Sequence, residues 1–224
     1  MKNLILTMLV ACVCTFSLAQ QVSLSYGRIF SHFDYENSQG KSLDNLSGTT
    51  ANSFMVGYQA PIAQQRWFLN SGISFNRYGA KGSDNALDYY YEWDVSYIGI
   101  NLGVDFEFLE QKNFFANQDG FYFYVKGEIS TEFLVQGTQR INNKLYKLRG
   151  EEQFDKPVFF LRGGIGATYC VSHRLAISFE YMGGKSFNVF GKGDDNEKLQ
   201  YVTHGFNIGL LLNLPNCSYC NRTF

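Results

Sequence analysis

From residue 21 onward, apolar and polar residues alternate with a period of two, and no stretch sustains the 3.6-residue period of an amphipathic helix. The clearest case is 96–108. Its even positions Ile98, Ile100, Leu102, Val104, Phe106 and Phe108 are apolar, while Gly99, Asn101, Gly103, Asp105 and Glu107 between them are polar or small. Segment 121–135 sets Phe121, Phe123, Val125, Ile129, Phe133 and Val135 against Lys126, Glu128, Ser130 and Glu132. Segment 202–214 sets Phe206, Ile208, Leu210, Leu212 and Leu214 against Gly205, Asn207, Gly209 and Asn213. Weaker alternation marks 22–33, 51–60, 67–78, 158–171 and 175–187; in the first of these Arg28 shares parity with Val22, Leu24 and Phe30. The pattern predicts eight strands, several of them long enough to cross a bilayer at a tilt.

The connections predicted between these strands alternate in length. Short ones fall at 61–66, 109–120 and 172–174, and longer, more polar ones at 34–50, 79–91, 137–156 and 188–200. Short turns at one end and long loops at the other are the asymmetry of an outer-membrane barrel, with the long loops outside the cell. Pro61, Pro157 and Pro215 fall at strand ends, where no ladder hydrogen bond is lost.

Alternation alone does not separate a membrane barrel from a soluble one, but the composition of the polar face does. Gly57, Gly99, Gly103, Gly127, Gly164, Gly166, Gly205 and Gly209 lie on it. Glycine weakens a solvent-facing strand. Inside a narrow eight-stranded barrel it makes room for larger neighbours. Those neighbours are charged: Asp105, Glu107, Lys126, Glu128, Glu132, Arg162 and Glu180 form the expected lumen network, with both signs available for pairing. Aromatics gather near strand ends, with Trp67, Phe106, Phe108 and Phe121 expected on the periplasmic side and Trp93, Phe159, Phe187 and Tyr201 on the outer side. Phe and Tyr number 21 and 15, charged residues are only 17%, and mean hydropathy is −0.19, values that an alternating membrane barrel reconciles. A net charge of −1 gives no reason to expect nucleic acid as a partner.

The start of the chain reads as a signal peptide, with Lys2 before an apolar run from Leu4 to Val13 and Ser17-Leu18-Ala19 at the cleavage position. Leu9-Val10-Ala11-Cys12 offers a second reading as a lipobox. The expected division is therefore a removed signal peptide at 1–20, a barrel at 21–214 and a short tail at 215–224. The Ser17-Leu18-Ala19-Gln20 leader end, the strand Val22-Ser23-Leu24-Ser25-Tyr26-Gly27 and the glycine-punctuated strands resemble the PorT-like and OmpX/OmpA-like families of Gram-negative outer-membrane barrels. That resemblance implies an outer-membrane location and supports a secretion-associated or surface role. It carries over no catalytic or binding residue. Such barrels often end on an aromatic that closes the last strand, whereas here Pro215 and the Cys217/Cys220 tail separate Phe224 from Leu214.

Candidate chemistry is sparse. His32 and His204 are expected at the outer rim on neighbouring strands, near the hydroxyls of Ser25, Ser31 and Thr203, and His173 in a tight turn. A rim His acting as general base would suit a lipid-modifying hydrolase, but no hydroxyl–His–carboxylate spacing stands out. Asp194-Asp195-Asn196-Glu197 lacks the spacing of a calcium loop. Gly184-Lys185-Ser186 lacks the strand–loop–helix setting of a phosphate loop. Cys217-Ser218-Tyr219-Cys220 is expected to form a local disulfide or to remain two inert thiols, with no second such pair to complete a zinc site. Arg140, Lys144, Lys147 and Arg149 supply a basic stretch suited to extracellular contact.

These features predict an all-β, eight-stranded, antiparallel, up-and-down transmembrane barrel with a side-chain-filled lumen. They predict a non-enzymatic structural, surface-interaction or secretion-associated role, with no cofactor and no metal. The expected partners are outer-membrane lipid and lipopolysaccharide, and protein at the extracellular loops or periplasmic turns. A narrow channel or small-ligand barrel and a lipid-modifying hydrolase are the alternatives.

Overall fold

The computed structural model describes residues 21–36, 45–63, 66–84, 89–112, 120–142, 144–150, 156–187, 198–214 and 219–221. Its strands are β1 (Gln21–Glu36), β2 (Leu46–Ala63), β3 (Trp67–Asp84), β4 (Tyr89–Lys112) and β5 (Gly120–Ile141), followed by β6 (Lys144–Lys147), β7 (Val158–Cys170), β8 (Leu175–Phe187) and β9 (Lys198–Asn213). Eight of them pair antiparallel in a closed ring, in which β5 passes directly to β7 and β9 returns to β1. The short β6 only extends the outer end of β5 as a hairpin arm. Closure leaves the wall no open sheet edge to satisfy in hydrocarbon. This is the barrel the alternation predicts.

The pairing registers fix how steeply the strands run. Stepping across the wall from Gln21 leads to Gln59, Asn70, Gly103, Glu128, Arg162, Gly184 and Thr203, then back to β1 at Ser31, ten residues from the start. A stagger of that size goes with a strand tilt of roughly 35–45° and an interior that side chains can fill.

Outward positions form a continuous apolar belt. Ile73, Ile100, Leu161, Ile165 and Ile208 are each 59–62% exposed, on four different strands. Apolar surface this exposed and contiguous needs a lipid partner rather than water. Aromatic pairs stand at both margins: Trp67–Phe106 and Phe121–Tyr169 at the short-turn end, with centroids 4.6 and 4.8 Å apart, and Phe159–Phe187 at the other, 6.1 Å apart. Trp93 and Tyr201 are corrections to the expected outer girdle. Both point inward, Tyr201 being only 2% exposed and Trp93 packing against the same interior cluster. Strict alternation carries past 96 and down to 201, so Trp93 shares the face of Asn101, and Tyr201 that of Asn207.

The strands also run further than the alternation predicts. Segment 79–91 is mostly ladder, with β3 and β4 paired out to Asp84↔Tyr89, and much of 34–50 and 137–156 lies in β1, β2, β5 and β6. Beyond the belt the outer face meets water, so polar residues sit on it and the hydrophobic signal fades while the ladder continues. A register shift between Leu134 and Gln136 on β5 adds to this, because it turns Val135 and Gln136 outward in succession. The tight turn at 172–174 is present, closed by Val171 N–H donating to Leu175 O at 2.9 Å.

At the short-turn (periplasmic) end, the 3-10 turn Tyr219–Asn221 follows the last strand. Tyr219 and Cys220 pack with Phe68, Tyr122, Cys170, Ala176 and Leu211 in a buried cluster. Cys220 is disulfide-bonded to Cys170 at the end of β7, fifty residues away in sequence. This corrects the expectation of a local Cys217–Cys220 disulfide or inert tail thiols: the tail cysteine is tied to the wall instead. Cys217 itself lies outside the described residues, as do the expected signal peptide at 1–20 and the acidic stretch at 194–197.

Candidate functional site

The seven charged residues expected in the lumen all face it, and they fall into an upper and a lower group. In the upper group Glu132 is 0% exposed. It accepts from Arg162 Nη2 at 2.6 Å, Tyr78 Oη at 2.8 Å, Asn76 Nδ2 at 2.9 Å and Ser130 Oγ at 3.3 Å. Arg162 also reaches Glu128 at 3.5 Å, and its guanidinium lies 4.1 Å from the centroid of the Phe160 ring. In the lower group Glu180 accepts from Lys126 Nζ at 3.0 Å, Asn207 Nδ2 at 3.0 Å and Tyr124 Oη at 3.2 Å. Gln59 Nε2 donates to Asp105 at 3.4 Å, and Tyr219 Oη donates to Glu107 at 2.6 Å.

Five of these seven residues are carboxylates, so two cations alone do not balance them. Neutral donors from Tyr, Asn, Gln and Ser supply most of the remaining bonds, as buried carboxylates require, although Asp105 Oδ1 is buried without a hydrogen-bond partner among the described residues. Sequence reasoning missed Tyr78, Tyr124 and Asn76, together with Tyr219 from the tail. A signal was present, since Tyr78 and Tyr124 share parity with the polar face of their strands. Tyrosine counts as apolar in an alternation, and its hydroxyl goes unread.

Glycine makes the room that these side chains occupy. The backbone at Gly166 lies against the Tyr124 ring, and a Cβ at Gly184 would sit 2.6 Å from Arg162 Cγ. Gly166→Leu is expected to displace Tyr124 from Glu180 and destabilise the barrel by about 1–3 kcal/mol. The measurement is urea unfolding in detergent micelles, and a midpoint equal to wild type would refute the packing argument.

Above the network, Phe33, Tyr78, Val95, Tyr97, Phe160 and Tyr201 close the extracellular end of the lumen, with Tyr97 and Tyr201 sharing a hydroxyl–hydroxyl bond of 3.0 Å. Below it, the tail covers the periplasmic end. Between these two caps lie cavities of about 40 and 60 Å³. Each has room for a few waters.

The remaining candidates separate. His32 and His204 point outward, whereas Ser25, Ser31 and Thr203 sit on the inward face of the same strands. The Ser31 hydroxyl is bound at 2.9 Å to both the carbonyl and the N–H of Gly79, and Thr203 Oγ1 donates to Gly184 O at 3.4 Å. Imidazoles and hydroxyls on opposite sides of the wall cannot make the short bond that an activated nucleophile needs. His173 is exposed in the turn. Lys185 and Ser186 of the phosphate-loop look-alike are strand residues; Lys185 pairs with Asp34, and the Ser186 hydroxyl accepts from Tyr201 N–H. Of the basic stretch, Arg140 pairs with Glu92 at 3.4 Å, while Lys144, Lys147 and Arg149 are exposed on the β6 arm and its following turn.

A closed eight-stranded wall, an apolar outer belt and a filled lumen define an eight-stranded transmembrane β-barrel of the bacterial outer membrane. Neither a protein-family model nor a curated protein matches the chain. Among solved structures, it is similar in fold to the outer membrane protein OprG from Pseudomonas aeruginosa, at TM-score 0.50 and 11% identity, over 88% of this chain and 96% of that one. It is also similar to Ail, the attachment invasion locus protein of Yersinia pestis, crystallised with the heparin analogue sucrose octasulfate, at TM-score 0.37 and 14% identity over 87% and 100%. The outer membrane protease OmpT from Escherichia coli matches at TM-score 0.42 and 9% identity over 87% and 96%. At such identities the likeness speaks to the fold alone.

Proposed function

We propose that this barrel is non-enzymatic and acts from its extracellular end as a surface-interaction protein, with the filled lumen serving as rigid support. One contrast carries the reading. The interior is spanned by bonded side chains and capped at both ends, whereas the β6 arm stands beyond the belt with Lys144, Leu145, Tyr146 and Lys147 all exposed. Leu145 is 61% and Tyr146 46% exposed, flanked by the cations Arg140, Lys144, Lys147 and Arg149. An aromatic and an aliphatic anchor inside a charged rim is the composition of a contact patch. Its partners are protein or lipopolysaccharide at the cell surface, and the belt contacts outer-membrane lipid.

Planar-bilayer recording tests the lumen half of this reading. The purified barrel is expected to give no stepwise conductance, and regular single-channel steps would favour a narrow channel instead. A crosslinking pull-down from intact cells tests the other half. Leu145→Ser/Tyr146→Ser is expected to lose the partners that wild type captures. Undiminished capture would move the contact to the periplasmic turns, as a secretion-associated role would require.

A further inference from the structure

The outward cations near the extracellular end of the wall are matched to carboxylates. Arg77 pairs with Asp94 at 2.6 Å, Lys81 and Arg140 with Glu92 at 3.1 and 3.4 Å, and Lys185 with Asp34 at 3.4 Å. Arg28 is the exception among the described wall residues. Its one contact runs from Nε to Asn52 Oδ1 at 3.4 Å, which leaves both Nη groups without a protein acceptor.

The position of Arg28 makes this informative. On the outward face of β1 it lies between Tyr26 and Phe30, and across the ladders it stands opposite Asn52 on β2 and Phe206 on β9. His204 stands opposite Phe30, diagonal to Arg28 on the same face and within reach of its side chain. The imidazole is stacked on Phe30, with centroids 5.1 Å apart and planes 12° off parallel, and Tyr181 flanks it at 6.2 Å. Toward the periplasm the outward residues are exposed and apolar: Leu24 on β1, Phe54 and Val56 on β2, Ile208, Leu210 and Leu212 on β9. The patch therefore sits at the outer margin of the belt, where lipid headgroups begin. An intramembrane or interfacial cation without a protein partner is a site for an anion.

We propose that Arg28, Asn52 and His204 bind the phosphate monoester of an outer-leaflet glycolipid, whose acyl chains lie along the belt below. The two Nη groups form a fork that matches two phosphate oxygens. The imidazole N–H and the Asn52 amide supply two further donors. Phe30, Tyr181 and Phe206 wall the patch and hold the imidazole in place. This deepens the lipid contact proposed above by giving it a site on the wall, apart from the β6 arm, so the two contacts fail separately.

Native mass spectrometry of the refolded full chain in detergent micelles tests it, with phosphorylated lipid A, dephosphorylated lipid A and inorganic phosphate as probes. Wild type is expected to retain one phosphorylated lipid A and no dephosphorylated form. Arg28→Gln/His204→Gln is expected to lower retention at least tenfold, while Lys144→Gln/Lys147→Gln leaves it unchanged. Inorganic phosphate at equal concentration is expected not to compete, and full competition would overturn the lipid assignment. Wild-type retention by Arg28→Gln/His204→Gln, or equal retention of the dephosphorylated lipid, would overturn the site. Should that variant fail to fold, Asn52→Ala/His204→Gln with Arg28 intact is expected to lower retention about threefold, and undiminished retention would count against the site in the same way.

Discussion

Arg162→Ala is expected to cost the folded barrel about 3–5 kcal/mol, because it leaves a buried carboxylate without its cation. Glu132 is fully buried and takes its shortest hydrogen bond from Arg162. Glu128 loses its ion pair with Arg162 in the same substitution, and Phe160 loses the guanidinium lying against its ring. Tyr78, Asn76 and Ser130 would still donate to Glu132, so the carboxylate stays bonded but uncompensated. Adding Glu132→Gln to this variant should therefore recover part of the loss, since an amide oxygen accepts from the same donors without carrying charge. Urea unfolding followed by heat-modifiable migration gives both numbers. A single variant within about 0.5 kcal/mol of wild type would mean that the network fills the lumen without holding it together.

Cys170→Ser/Cys220→Ser comes second in expected size. A disulfide closing a loop of fifty residues contributes roughly 2–4 kcal/mol by restricting the unfolded chain. Its removal has a local effect as well. Tyr219 packs on Phe68 and Tyr122 with ring centroids 5.6 and 5.1 Å apart and bonds Glu107, and the covalent link keeps the turn that carries it in place. In Cys170→Ser alone, the Cys220 thiol is expected to become open to alkylation in intact, folded barrels. Protection equal to that of the wild-type disulfide would show that packing alone holds the tail.

The closed barrel was legible because one physical fact, lipid outside and side chains inside, repeats along every strand. Ile98 to Phe108 shows it without interruption. It stops being legible where the belt stops. The ladder between Gly79 and Asp84 on β3 and its partners on β4 has water outside, so nothing in the hydrophobic pattern marks it as strand. The membership of the lumen network followed from charge on the small-residue face, but its wiring did not. Arg162 bonds Glu132 and Tyr78, 30 and 84 residues away, and only the summed registers of intervening strands bring them together. The Cys170–Cys220 link was hidden by a nearer and more familiar pairing, because sequence spacing says nothing about which wall strand the tail folds back upon. The outward set of Arg28 could be read from its parity, while the absence of a carboxylate beside it is a property of three strands at once.

The tail disulfide also bears on how such a barrel is put together. The link between Cys170 and Cys220 encloses β8 and β9 in a covalent ring, and β9 is the strand onto which β1 must close the wall. If oxidation comes first, the insertion apparatus receives a pre-tied hairpin, and the first strand docks on a partner whose far side is already fastened. If insertion comes first, the thiols meet only after the turn carrying Tyr219 has seated. Trapping the chain part-way through insertion and assaying its thiols would show which event sets the clock.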